Sequence, residues 1–161
     1  MVLEAIESIR LQNYSPMEII VIDDGSTDNT RAEIKSIFPE IRLVKRNGVG
    51  PGPARNAGVD ASSGDILMFL DSDDLWLENH VQRLHKTLKR GFQVAYGTTE
   101  TNDEIGRSDF LIPDKGEGIE GDCFDPLLRW CFLVPSSIAL SRNATPRRWI
   151  LDSCRTLDIS R

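Results

Sequence analysis

Twice in this chain an unbroken apolar run ends abruptly in acids. Ile19 to Ile22 runs into Asp23 and Asp24 in EIIVIDDGS, and Ile66 to Leu70 runs into Asp71, Asp73 and Asp74 in DILMFLDSDD. A short apolar run without alternation is the pattern of a strand covered on both faces, the situation in a parallel sheet flanked by helices. Around these runs the periodicity changes to that of helices. Val2, Ile6 and Ile9 in VLEAIESIRLQ share one helical face, and Thr27 or Asp28 is placed to cap a helix that turns Ile34, Ile37 and Phe38 inward before Pro39 closes it. IRLVKR, Ile41 to Arg46, alternates like an edge strand. In LENHVQRLHKTLKR, Leu77, Val81, Leu84 and Leu88 form another helical stripe, and QVAYGTTE, Gln93 to Glu100, reads as a further strand. Strands and helices thus alternate through about residue 100, which places the chain in the α/β class.

The segment NGVGPGPARNAG holds four Gly and two Pro in twelve residues, the composition of a loop built for close backbone approach. A helix is expected to begin within it, at ARNAGVDAS, and to stop at Gly64. Beyond the Gln93 strand, NDEIGRSDFLIPDKGEGIEGD is polar and Gly-rich and reads as an irregular segment over the sheet edge. CFDPLLRWCFLVPSSIALSR is apolar again, with a helix expected around Pro126 to Cys131 and a short strand around Ser137 to Leu140. From Ala144 onward no period is evident.

At 161 residues the chain is long enough for one domain with a core of its own. Its net charge of −6 argues against nucleic-acid partners, which need a clustered basic surface. Cys123, Cys131 and Cys154 are odd in number and lack C-x-x-C spacing, so reduced buried thiols are expected. No run reaches the roughly 18 apolar residues of a membrane span. The expectation is a cytoplasmic chain, free or held at the inner face of the membrane by a partner, with peripheral membrane association and dimerisation both open. His80 and His85 fall away from the apolar stripe of their helix and read as solvated surface.

In an open parallel sheet, ligands bind beyond the carboxyl ends of the strands. Carboxylates clustered there repel one another unless a cation or ordered donors offset the charge. Oxygen-only donors favour Mg²⁺ or Mn²⁺, which binds one or two carboxylates and completes its shell with substrate phosphates. The competing reading is that these acids are solvated caps of loops and helices.

Five segments, in order and spacing, resemble the family 2 glycosyltransferases. They are Q-x-Y at Gln12 to Tyr14, EIIVIDDGSTD at Glu18 to Asp28, N-G-x-G-P-G-P-A-R-N-A-G at Asn47 to Gly58, S-G-D-I-L-M-F-L-D-S-D-D at Ser63 to Asp74, and P-S-S-I-A-L-S-R at Pro135 to Arg142. The resemblance implies the GT-A fold, a three-layer α/β/α arrangement on a mostly parallel sheet. It implies transfer of a sugar from a nucleotide-diphosphate sugar to a saccharide or lipid-linked acceptor hydroxyl, with inversion and with Mn²⁺ or Mg²⁺ as cofactor. Asp24 would then recognise the nucleobase, Asp71 and Asp73 would meet ribose, metal and diphosphate, Asp74 would share the metal, and Arg55 would lie near the donor phosphates or nucleobase.

Against the family pattern, a strand of the type V-S-V-I-I-P-x-Y-N is missing ahead of the Val2 helix. The acidic pair that supplies the acceptor base has no counterpart after Asn143, and neither Asp152 nor Asp158 is assigned that role. The expectation is therefore an incomplete GT-A domain over 1–143 with an unassigned tail over 144–161, truncated or frameshifted, and with transfer impaired in the chain as given. Either the strands at Ile19 and Ile66 pair directly or another segment or chain fills the slot between them. The alternatives in function are a non-catalytic module that binds nucleotide-sugar or a partner, and a phosphatase-like fold with an Asp nucleophile, which D-S-D fits by spacing alone.

Overall fold

The computed structural model describes residues 1–102, 108–113, 120–121 and 133–144. The helix expected at Pro126 to Cys131, the three cysteines, Asp152 and Asp158 lie outside the described residues. The chain divides into two compact units, one built on Leu3–Asn13 and Met68–Leu140, the other on Tyr14–Leu67 and the segment from Ser141.

The second unit carries the first acid-tipped strand. β1 (Ile20–Asp23) pairs in parallel with β2 (Arg42–Lys45), with Asp23 opposite Lys45. α2 (Thr30–Ile37) and α3 (Pro51–Ala61) connect the strands of this unit. Asp28, one of the two expected caps, accepts the Thr30 N–H at 3.0 Å from just outside α2, whose N-cap is Asn29. Ile34 and Phe38 are buried as expected, but Ile37 is 53% exposed. A helix of two turns packs a narrow i, i+4 stripe, and Ile37 falls beyond its edge.

The fold also corrects the start of α3. The helix begins at Pro51, three residues before the expected start, and the glycine loop is correspondingly shorter. Proline is well suited to a first helical position, where its missing N–H would have had no partner and its φ is already helical. The entry to β3 (Ile66–Met68) is held by side chains from both ends of the unit. The Glu18 carboxylate accepts the backbone N–H groups of Ser63 (2.6 Å) and Gly64 (2.9 Å) and the Ser63 hydroxyl (2.9 Å), and these bonds, led by the Ser63 amide, hold its carboxyl below the usual range. Arg142 donates to the Gly64 carbonyl and the Ser62 hydroxyl, each at 2.6 Å.

The first unit holds α1 from Leu3 onward, α4 (His80–Leu88), β4 (Val94–Tyr96), β5 (Thr99–Asn102), β6 (Ser108–Ile112) and β7 (Ile138–Ser141) up to Leu140. α1 (Val2–Arg10) buries Ala5 and Ile6, and α4 buries Val81 and Leu84, beside Trp76, Ala95, Ala139 and Leu140. Leu77, expected on the α4 stripe, precedes the helix and is 72% exposed. The start of α4 is set instead by Asn79, in the left-handed region at φ 62°, and by the buried Gln12. Gln12 donates from Nε2 to the carbonyls of Ser8 and Leu77, both at 3.0 Å, and its Oε1 accepts the Val81 N–H at 3.2 Å.

The strand expected over Gln93 to Glu100 is two strands. β4 pairs antiparallel with β7, in a sheet of order β3-β7-β4, while β5 pairs antiparallel with β6, so the chain changes partners at Gly97. β6 itself corrects the expectation of an irregular segment there. The strand expected around Ser137 to Leu140 forms as β7. β3 is shorter than the apolar run, ending at Met68. β1 and β3 belong to different sheets, so the direct pairing of these strands is not formed. Ile20, Val21 and Ile22 are half-buried, so the run is not fully enclosed on both faces as expected.

Candidate functional site

In the second unit, the end of β1 separates its two acids by role. Asp23 points inward, its side chain 2% exposed. Its Oδ1 accepts the Ser26 N–H at 2.9 Å, and its Oδ2 faces Arg31 Nε at 3.3 Å as an ion pair without hydrogen-bond alignment. Burial pushes this carboxyl up, but the hydrogen bonds from Ser26 and the Arg31 charge outweigh it and hold it below the usual range. Asp24 turns the other way. Its Oδ1 accepts the Val49 N–H at 3.0 Å and its Oδ2 the Gly50 N–H at 2.7 Å, so the carboxylate bridges the loop that leads into α3. An anion is favoured there, where the first amides of a helix have no partners within it.

The loops approach closely enough to require glycine. Gly25, at φ 104°, would place a Cβ 3.2 Å from the Gly48 nitrogen, and Gly50, the N-cap of α3, sits at φ 93°. Arg55 lies half-buried on α3, in the same unit as Asp24.

In the first unit, the D-S-D-D segment forms a turn after β3, closed by the Asp74 N–H donating to the Asp71 carbonyl at 3.1 Å. Ser136 joins the two ends of that turn. Its hydroxyl accepts the Asp71 N–H at 3.0 Å and donates to Asp74 Oδ2 at 2.5 Å. Asp73, at the crest, is exposed, while Asp71 and Asp74 are half-buried. Trp76 is buried behind the turn, donating from its indole N–H to the Ser136 carbonyl at 2.7 Å and from its backbone to the Ser8 hydroxyl at 3.1 Å.

Comparison with known proteins gives these segments a common origin. The family model described as glycosyl transferase family 2 matches residues 1–128. The chain belongs to this family. It is 31% identical over 159 residues to an uncharacterized glycosyltransferase, alr2836, of Nostoc, covering 92% of this chain and 49% of that protein. It is 31% identical over 146 residues to the Escherichia coli UDP-Glc:alpha-D-GlcNAc-diphosphoundecaprenol beta-1,3-glucosyltransferase WfgD, covering 86% of this chain and 54% of that one. Among solved structures it is similar to S. aureus TarS 1-349, with a TM-score of 0.62 at 21% identity over 86% of this chain and 42% of TarS, and 0.59 for TarS in complex with UDP. That likeness is one of fold, and the fold is GT-A. The chain spans about half or less of the curated relatives it matches.

Within this family 2 domain, Asp24 and Arg55 fall in one unit and Asp71, Asp73 and Asp74 in the other. The structure joins Asp71 to Asp74 through Ser136, and Asp24 to the glycine loop. Among the described residues no three carboxylate, His or Cys groups are gathered to hold a metal. Two carboxylates with substrate phosphates remain a suitable donor set for Mg²⁺ or Mn²⁺, which takes few protein ligands, and the exposed Asp73 fits that mode. No helix among the described residues is long and apolar enough to cross a membrane.

His80 corrects the expectation of a solvated histidine. Its ring stacks on Trp76 at 5.1 Å between centroids, and its buried Nε2 has no partner among the described residues. Burial first, and then the Arg83 charge, lower its pKa. Sequence reasoning missed Ser136, Trp76 and Gln12 as organisers of the acidic turn and of α4. The motifs that hold Ser136 and Gln12, P-S-S-I and Q-x-Y, were visible, but partners some sixty residues away were not.

Proposed function

We propose that this domain binds a nucleotide-diphosphate sugar and serves the transfer of its sugar, with inversion, to an acceptor hydroxyl. The single observation that carries the reading is the acidic turn itself: three aspartates after β3, fixed by Ser136 and Trp76, with Asp73 exposed at the crest. The donor set suits Mg²⁺ or Mn²⁺ at Asp73 and Asp71, with Asp74 beside them. When bound there, the metal would offset the charge of the leaving diphosphate. Asp71 would also meet the ribose, Asp24 would recognise the nucleobase and Arg55 would lie near the phosphates or base.

UDP is the nucleotide favoured by the company this chain keeps, since TarS is solved with it and WfgD is named for a UDP-sugar. The name of WfgD also supports a lipid-linked acceptor, and with it a position at the inner face of the membrane. Calorimetry with UDP and GDP, with and without Mn²⁺, tests the reading. Binding is expected to need the metal, and Asp73→Asn is expected to weaken it at least about 10-fold, because an amide lacks the anionic oxygen a hard cation prefers. Equal affinity in EDTA would refute the metal role, and no binding of either nucleotide would refute the donor site. Release of nucleoside diphosphate from UDP- and GDP-sugars in the presence of acceptor separates transfer from binding alone.

A further inference from the structure

The acidic turn is fastened by a residue that the family resemblance left without a role. Ser136 is 6% exposed, and its hydroxyl is used in both directions. A lone pair accepts the Asp71 N–H at 3.0 Å, and its proton goes to Asp74 Oδ2 at 2.5 Å. Its carbonyl accepts the Trp76 indole N–H at 2.7 Å. Three residues of the segment Asp71 to Trp76 are therefore tied to one serine. The backbone of Trp76 is also held by Ser8, and its ring is backed by His80.

We propose that Ser136 is a positioning residue for donor binding, and that Asp74 serves as its brace and not as a ligand of the metal. The inference rests on the donor-binding reading of this turn. A hydrogen bond to a carboxylate is stronger than one between neutral groups, so the Ser136–Asp74 contact is well suited to fix the hydroxyl rotor and, through it, the Asp71 amide. Asp73 lies between the two tethered residues, so its carboxylate is presented from a turn anchored on both sides. The oxygen of Asp74 engaged by Ser136 is directed into the protein's own hydrogen-bond network. Asn at position 74 could still accept that bond through its amide oxygen, whereas Ala could not.

Two measurements test this. The first needs no ligand: in Ser136→Ala, hydrogen exchange of the Asp71 amide is expected to rise about 10-fold, the loss of one net hydrogen bond, while amides of α1 and α4 keep their rates. An unchanged Asp71 rate overturns the proposal. The second is the affinity for UDP in Mn²⁺. Ser136→Ala and Asp74→Ala are each expected to weaken it about 10-fold, and the double variant no further, since one network is broken once. Asp74→Asn should lose much less than Asp73→Asn. If Asp74→Asn loses as much as Asp73→Asn, Asp74 is a ligand and the brace is wrong. If the unaltered chain binds UDP and Ser136→Ala binds it equally well, the positioning role is wrong. Absence of binding by the unaltered chain refutes the donor-binding reading and with it the positioning role, while the exchange rate alone decides whether Ser136 orders the turn.

Discussion

Replacing Gln12 by methionine keeps much of the side chain's length and removes its polar atoms. Gln12 is 1% exposed and its side chain makes three hydrogen bonds, donating to the carbonyls of Ser8 and Leu77 and accepting the N–H of Val81. Each is worth about 1 kcal/mol net, and the Val81 N–H, in the first turn of α4, would be left buried without an acceptor. The expected loss is about 3 kcal/mol, a large share of the roughly 5–15 kcal/mol that holds a domain folded. At a urea slope of about 2 kcal/mol per molar, the unfolding midpoint falls by about 1.5 M. Gln12→Ala should cost about 1 kcal/mol more, through the cavity it leaves. The assay is urea unfolding followed by tryptophan fluorescence, with exchange of the Val81 amide as a local readout. A Gln12→Met unfolding free energy within about 0.5 kcal/mol of the parent would mean that these bonds contribute nothing net, and the account of how α4 is started would fail.

Gly25→Ala is expected to destabilise the chain by about 1–3 kcal/mol, since alanine would be held at φ 104° and its Cβ would press on Gly48; an unchanged urea midpoint would refute the close approach of the two loops. His80 gives a pH dependence of definite sign. Its folded pKa lies below the ordinary 6.5, so the unfolded chain binds the proton more readily, and this residue's contribution, present above about 6.5, is lost as pH falls from there toward the folded value. Urea midpoints between pH 7 and pH 5 should therefore fall more steeply for the parent than for His80→Phe, which keeps a ring against Trp76; equal slopes would refute the buried neutral imidazole.

Elements written into short stretches were legible from the sequence. β1 follows from its β-branched run, β2 from its alternation, α2 from its Ile34–Phe38 stripe, and β7 from the apolar run after P-S-S. The acid-tipped strands were legible too, because an apolar run that ends in charge has few places to end other than a sheet edge. Positions where one residue answers to a distant partner were not. Leu77 looks like the next residue of a helical stripe until Gln12, sixty-five positions earlier, claims its carbonyl. His80 looks solvated on its own helix until Trp76 stacks against it. Gly97 looks like the middle of a strand until the partner changes from β7 to β6.

The sequence by itself determined the α/β class, the family and the identity of the acids, because hydrophobic period and motif order are properties of neighbouring residues. Only the tertiary structure decided what each acid does. Asp23 and Asp24 are adjacent and chemically identical, yet a strand sends successive side chains to opposite sides, so one is buried against Ser26 and Arg31 while the other bridges the amides of Val49 and Gly50. In the same way Asp73 is exposed and Asp74 is tied to a serine sixty-two residues away. The free energy of a carboxylate depends on the donors and charges that surround it, and those arrive from parts of the chain that sequence proximity does not reveal.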